Sequence, residues 1–243
     1  MPLFYLRRLT GSKRTEIANR HLARYLAFVA GAANAGGFLA VRQYTSHMSG
    51  IVSAMADNIA LGSLSLGIRG LAAVLSFLSG AFVTTLCIRW ARARALESEY
   101  ALPLLGEAGL LVVFGATGRI FSGGRVMGTI MLLCFTMGLQ NAIVTKLSNA
   151  VIRTTHLTGM FTDIGIALGR MATGGAEDGQ EAEMAKVRLL SSLIGMFFVG
   201  GMVGALGFRH AGFLFTLPLA MILVVLAVMP ILDDVRRSIT DVA

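Results

Sequence analysis

The chain has 243 residues, 55% of them hydrophobic and 14% charged, with a mean hydropathy of +0.73. Soluble domains carry about 25% charged residues, so this composition excludes an ordinary water-soluble globule and points to an all-α integral membrane protein. The net charge of +8 comes without an aromatic-interleaved basic groove, so no nucleic-acid partner is expected.

Arg7, Arg8, Lys13, Arg14, Arg20 and Arg24 precede or open the first apolar run. Residues 1–21 therefore read as a basic cytosolic segment facing anionic lipid. Apolar runs follow over His21–Tyr44, Thr45–Gly67, Leu71–Trp90, Tyr100–Ala116, Val126–Leu147, Thr154–Ala172, Val187–Phe208 and Ala211–Leu232. A spanning helix needs about 20 mostly apolar residues, and most of these runs qualify. The organisation expected is a first membrane repeat over 22–117, a connecting loop over 118–125 and a second repeat over 126–232. The second repeat contains an acidic polar loop over 173–186, and a cytosolic tail follows over 233–243.

The runs beginning at Thr45 and Thr154 differ in kind. Each opens with a polar hexad, and each carries a carboxylate, Asp57 or Asp163. If both are discontinuous segments that re-enter, six spans remain. Arg89, Arg92 and Arg94 then share the cytosolic side with both termini and with Arg236 and Arg237. If all eight runs span, those three arginines lie outside. The positive-inside bias favours six spans in a bacterial-type cytoplasmic (inner) membrane.

Self-similarity is the strongest signal in the chain. Gly31-Ala32-Ala33-Asn34-Ala35 matches Gly138-Leu139-Gln140-Asn141-Ala142, and Thr45-Ser46-His47-Met48-Ser49-Gly50 matches Thr154-Thr155-His156-Leu157-Thr158-Gly159. Phe77–Gly80 matches Phe197–Gly200, and Leu102-Pro103-Leu104 matches Leu217-Pro218-Leu219. Three spans plus one re-entrant segment per half would invert the second copy, a construction common to secondary transporters.

On Gly31–Gly50, Gly138–Gly159 and the continuation Thr162-Asp163-Ile164-Gly165 to Gly169, the chain resembles the YoaK-like family of bacterial multi-spanning membrane proteins (domain of unknown function 1275). The resemblance covers nearly the whole chain after about residue 22. It implies a multi-pass bacterial membrane protein and names no substrate. Family members usually have Thr-Gly-Asn where this chain has Ser49-Gly50-Ile51, and often Asp at the place of Asn34.

The candidate substrate-binding residues are those the repeat duplicates: Asn34, Thr45, Ser46, His47, Ser49 and Gly50, with Asn141, Thr154, Thr155, His156, Thr158 and Gly159. The hydroxyls at 45–46 and 154–155 are expected to cap helices. A helix that starts inside a membrane directs unpaired amides and a positive dipole end at its surroundings, which suits an anion. Asp57, Glu107 and Asp163 lie within apolar runs and are proton-coupling candidates; the plainer role is ion pairing with Arg42, Arg69, Arg125 or Arg170. The glycines at 80, 195, 200, 201 and 204 read as packing faces.

Cys87 and Cys134 lack CxxC spacing and read as small buried hydrophobes. No HxxxH, HExxH or GxSxG motif is present, so no metal, no cofactor and no enzyme activity are expected. The expected function is secondary transport of a small solute, with an anion or organic acid and proton coupling as the leading form. The bilayer is the partner, and small size suggests a homodimer. A sensor or scaffold, a channel and an intramembrane enzyme are the alternatives.

Overall fold

The computed structural model describes residues 7, 9–11, 15–117, 126–147, 155–173 and 177–240, which are helical apart from short turns. Helix α1 spans Glu16–Val41. The Thr15 side chain accepts from the Ala18 N–H at 3.2 Å and so caps its start. Arg42 ends it in the left-handed region (φ 57°), with its N–H on the Phe38 carbonyl. A short helix α2 (Met48–Ala60) follows, and a turn at Gly62 (φ 80°) leads into the long α3 (Leu64–Ala93). Next come α4 (Ala101–Thr117), α5 (Val126–Leu147), the short α6 (Leu157–Ala172) and α7 (Glu177–Ala211). Gly212, at φ 57°, opens a 3-10 turn (Gly212–Phe215) before α8 (Thr216–Thr240). Four stretches are long and apolar enough to cross a membrane: Glu16–Val41, Leu64–Ala93, Val126–Lys146 and Gly179–Arg237. The last contains both α7 and α8, and Ala101–Thr117 is a shorter apolar helix.

The repeat in the sequence reappears in the packing. Helix α1 packs on α7 and α3 on α5; α2 lies on α3 and α6 on α7; α4 packs on α8. Exchanging the halves maps each of these contacts onto another in the set, or onto itself. Both long crossings are built from glycine against backbone. A Cβ on Gly31 would stand 2.0 Å from the Phe197 carbonyl oxygen, and one on Gly200 would stand 2.1 Å from that of Phe28. At the other crossing a Cβ on Gly138 would meet the Phe77 oxygen at 2.0 Å, and one on Gly80 the Phe135 oxygen at 2.0 Å. Where lipid replaces water, helices associate by such close backbone approach rather than by hydrophobic exclusion. The buried core between these crossings includes Leu22, Leu26, Leu104, Leu111, Leu133 and Leu193.

Polar contacts gather at one end of the bundle. Arg7 pairs with Asp233 at 2.7 Å and Arg237 with Glu97 at 3.0 Å. The Asp234 carboxylate accepts from the Glu97 and Ser98 N–H groups at 2.8 and 2.9 Å, and Arg92 binds Glu99 and the Tyr100 hydroxyl. These bonds bring the Arg7 segment, the α3–α4 corner and the end of α8 together. At the opposite end the rings of Phe114, Phe208, Phe213 and Phe215 pack edge to face.

The boundaries differ from expectation in four places. Helix α1 starts at Glu16, ahead of residue 22, because Thr15 supplies the cap. Helix α3 starts at Leu64 rather than Leu71, once Gly62 has turned the chain. The stretch over 173–186 is not a polar loop from 177 onward, since Glu177 opens α7. Its Glu, Gln, Ala, Met and Lys residues are good helix formers, and Arg170–Glu183 (2.8 Å) and Lys186–Asp163 (3.5 Å) hold this turn of α7 against α6. Finally, α8 runs through Pro230 to Thr240, so the described part of the expected tail is helical. The connecting loop at 118–125 lies outside the described residues.

A candidate site at two hydroxyl–asparagine locks

After Arg42 the chain reverses and lays the first hexad back along α1. Thr45 is buried beside Gly37, where a Cβ would lie in ordinary contact with the Thr45 hydroxyl oxygen at 3.5 Å. The Ser46 hydroxyl donates to the Asn34 side-chain carbonyl at 3.0 Å. In the second half the Thr155 hydroxyl donates to the Asn141 carbonyl at 2.6 Å. Positions that the repeat pairs in sequence thus make the same hydrogen bond in both halves. Thr154 lies outside the described residues.

Ser46 and Thr155 are consequently not the helix caps expected of them. The cap positions belong to His47 for α2 and His156 for α6, and neither ring makes a capping hydrogen bond. Their backbones nearly coincide, at φ −95°, ψ 76° and φ −92°, ψ 57°. Each ring folds over the glycine three residues later: a Cβ on Gly50 would lie 3.4 Å from the His47 ring, and one on Gly159 only 2.4 Å from His156 Nδ1. The His-x-x-Gly spacing is therefore a steric one. Both histidines are exposed, as are Ser49, Gly50 and Thr158.

The three acids are dispersed over three helices. Asp57 is exposed on α2. Asp163 on α6 stands 3.5 Å from Lys186, while Arg170, one of the arginines expected to pair with these acids, pairs with Glu183. Glu107 is fully buried on α4, and neither of its carboxyl oxygens has a hydrogen-bond partner among the described residues.

A half-open groove of about 520 Å³ connects the halves. It runs between α1, α7 and the first turns of α6, and its wall includes Asn34, Phe38 and Tyr44 from the first half and Leu157 and Phe161 from the second. Phe38 and Tyr44 are stacked, with ring centroids 4.7 Å apart. Asn34 thus shares one cavity with the start of α6, whereas Asn141, His47 and His156 do not line it.

Sequence reasoning did not single out this aromatic wall or Gln140. Buried Gln140 donates from Nε2 to the Leu26 carbonyl at 3.1 Å and ties α5 to α1. Its place beside the duplicated Asn141 was the available signal. For the aromatic wall there was none, because Phe in an apolar run reads the same toward lipid or cavity.

The profile of the family described as Protein of unknown function (DUF1275) matches residues 22–229. Comparison with curated proteins and with solved structures returns no match.

Proposed function

The chain belongs to the DUF1275 family, and we propose that it is a secondary transporter of a small solute, built from two inverted halves of three spans each. The spans in this reading are α1, α3 and α4, then α5, α7 and α8. At 13 and 16 residues, α2 and α6 measure about 20 and 24 Å, short of a hydrocarbon core of about 30 Å. They are the re-entrant segments. The polar end of the bundle supports this topology. An odd number of crossings between the first segment and the α3–α4 corner would separate Arg7 from Glu97 by a membrane, yet both bind the same end of α8, at Asp233 and Arg237. The positive-inside bias makes that end cytosolic in a bacterial-type cytoplasmic membrane.

The observation that carries the function is the duplicated lock. Two interrupted helices, each pinned to an asparagine of a neighbouring span, meet the description of a midplane transporter site. An anion or organic acid is the solute class favoured by the unpaired amides where α2 and α6 begin.

Two measurements test this. Single cysteines from Leu61→Cys and Arg94→Cys, in a Cys87→Ala/Cys134→Ala background, are labelled in intact cells with an impermeant thiol reagent. Six spans expose position 61 outside and position 94 only after permeabilisation; the reverse pattern removes the topology. A thermal-shift screen of anions, organic acids and cations at two pH values then compares wild type with His47→Ala/His156→Ala. A ligand that stabilises wild type alone is the expected result. A folded double mutant with an unchanged ligand response would take the hexads out of the site.

A further inference from the structure

The two halves are not equivalent at their asparagines. Asn141 turns its Nδ2 onto its own helix, donating to the Met137 carbonyl at 2.8 Å. Asn34 has its carbonyl held by Ser46, and its Nδ2 has no hydrogen-bond partner among the described residues. Only 9% of Asn34 is exposed, and it lines the groove. Asn34 Nδ2 is not itself fully buried, so its donor is open to an acceptor held in the groove.

A second set of donors lies at the same groove. Helix α6 begins in its wall at Leu157. The Met160 N–H reaches the His156 carbonyl, but the N–H groups of Leu157, Thr158 and Gly159 precede the first helical acceptor; the His156 side chain at the cap position makes no capping bond, and of these three residues Leu157 lines the groove. They carry the positive end of the helix dipole. The rest of the wall is apolar and aromatic, with Phe161, Phe197 and Phe198 facing Phe38 and Tyr44. Among the described residues no charged side chain lines it. A hydrated inorganic ion would gain no replacement for its water from such walls. A cavity of about 520 Å³ is of the size that encloses an organic molecule.

We propose that this groove binds a monocarboxylate with an extended apolar body, its head group accepting from Asn34 Nδ2 and the first amides of α6, and its body lying against the phenylalanines. The site lies on the Asn34 side, since Asn34 lines the groove and Asn141 does not. This deepens the transport reading by naming the solute class, and rests on that reading only for calling the ligand a substrate.

The test uses the full chain in phosphatidylcholine nanodiscs, with radiolabelled octanoate as the probe. Saturable binding is expected, displaced by unlabelled octanoate but not by acetate or octanol. Asn34→Asp keeps an oxygen for Ser46 and removes the donor; it should weaken octanoate at least about 10-fold, the scale of one hydrogen bond to a charged group. Ala205→Phe fills the groove and should abolish binding, while Asn141→Ala should leave it unchanged. Thermal unfolding of each variant checks that it folds. Binding no greater than in protein-free nanodiscs would mean that lipid occupies the groove, and would overturn the proposal. So would equal displacement by octanol, or Asn34→Asp and Ala205→Phe variants that both fold and bind as wild type does. Flux of the impermeant analogue octanesulfonate into proteoliposomes is measured separately. Octanoate binding without flux would keep the site and remove the transport reading.

Discussion

Gly31→Ala is expected to destabilise the protein by about 3 kcal/mol, the upper end of the range for overpacking a filled interior, and Gly138→Ala by a similar amount. The new methyl would stand 2.0 Å from a carbonyl oxygen in each case, of Phe197 or of Phe77, and a carbonyl in mid-helix cannot rotate away. The helices must part instead, and every contact along that crossing loosens with them. The control is Gly195→Ala. Gly195 is on α7, the helix that Gly31 packs against, but a Cβ there meets nothing within 4 Å. Its stability should hold or rise, since alanine is the better helix former by about 1 kcal/mol. The two crossings use different helices, so Gly31→Ala and Gly138→Ala should combine additively. Gly31→Ala with Gly200→Ala should cost less than their sum, because the first change has already opened the crossing that the second would open. Thermal unfolding of the purified variants measures all of this. A Gly31→Ala protein as stable as Gly195→Ala would refute the packing account.

The same glycines show where sequence reading reaches and where it stops. Gly80, Gly200 and Gly204 read as packing residues, and each faces the backbone of a partner helix. Gly195 read the same way and faces open space. Composition registers a small residue, but only the rotation of the helix decides which way it points. The duplicated hexads were visible because two copies of one chain segment sit in one sequence. What they bond to was not visible, because Ser46–Asn34 and Thr155–Asn141 depend on the chain doubling back after α1 and α5. The hydroxyls therefore looked like caps, a local role, when they make a non-local bond. The start of α7 was missed for a related reason. Hydropathy marks where a helix enters lipid rather than where it begins, and Glu177 begins one well before the apolar run at Val187. The asymmetry between Asn34 and Asn141 is the least legible feature, since the repeat places both at the same register and the different bonds of their Nδ2 groups appear only in the packed structure.

Glu107→Leu is expected to stabilise the fold while abolishing proton-coupled uptake, a combination that separates a working group from a structural one. Glu107 is completely buried on α4, which packs on α8 and α5, and both carboxyl oxygens lack a hydrogen-bond partner among the described residues. Its chain neighbour Gly106 faces α5 at Leu139, the residue before Gln140, whose own Oε1 is likewise unpartnered. Both Glu107 oxygens and the Gln140 Oε1 are thus buried on two adjacent helices without a partner among the described residues. Leaving such a group unsatisfied costs about 1–3 kcal/mol, so an apolar side chain of similar size should raise stability by about 2 kcal/mol. In the proposed transport, an acid held against that cost with no partner among the described residues would be a carboxyl that takes up and releases a proton as the halves move. Glu107→Gln should lose the same uptake with little gain in stability, because the amide restores the unmet polarity without the titration. Thermal unfolding beside ligand-driven proton flux in proteoliposomes reads both effects. Uptake that survives Glu107→Gln would transfer the proton-carrying role to Asp163 or Asp57. Marked destabilisation of Glu107→Leu would instead assign the carboxyl a structural partner in the folded chain.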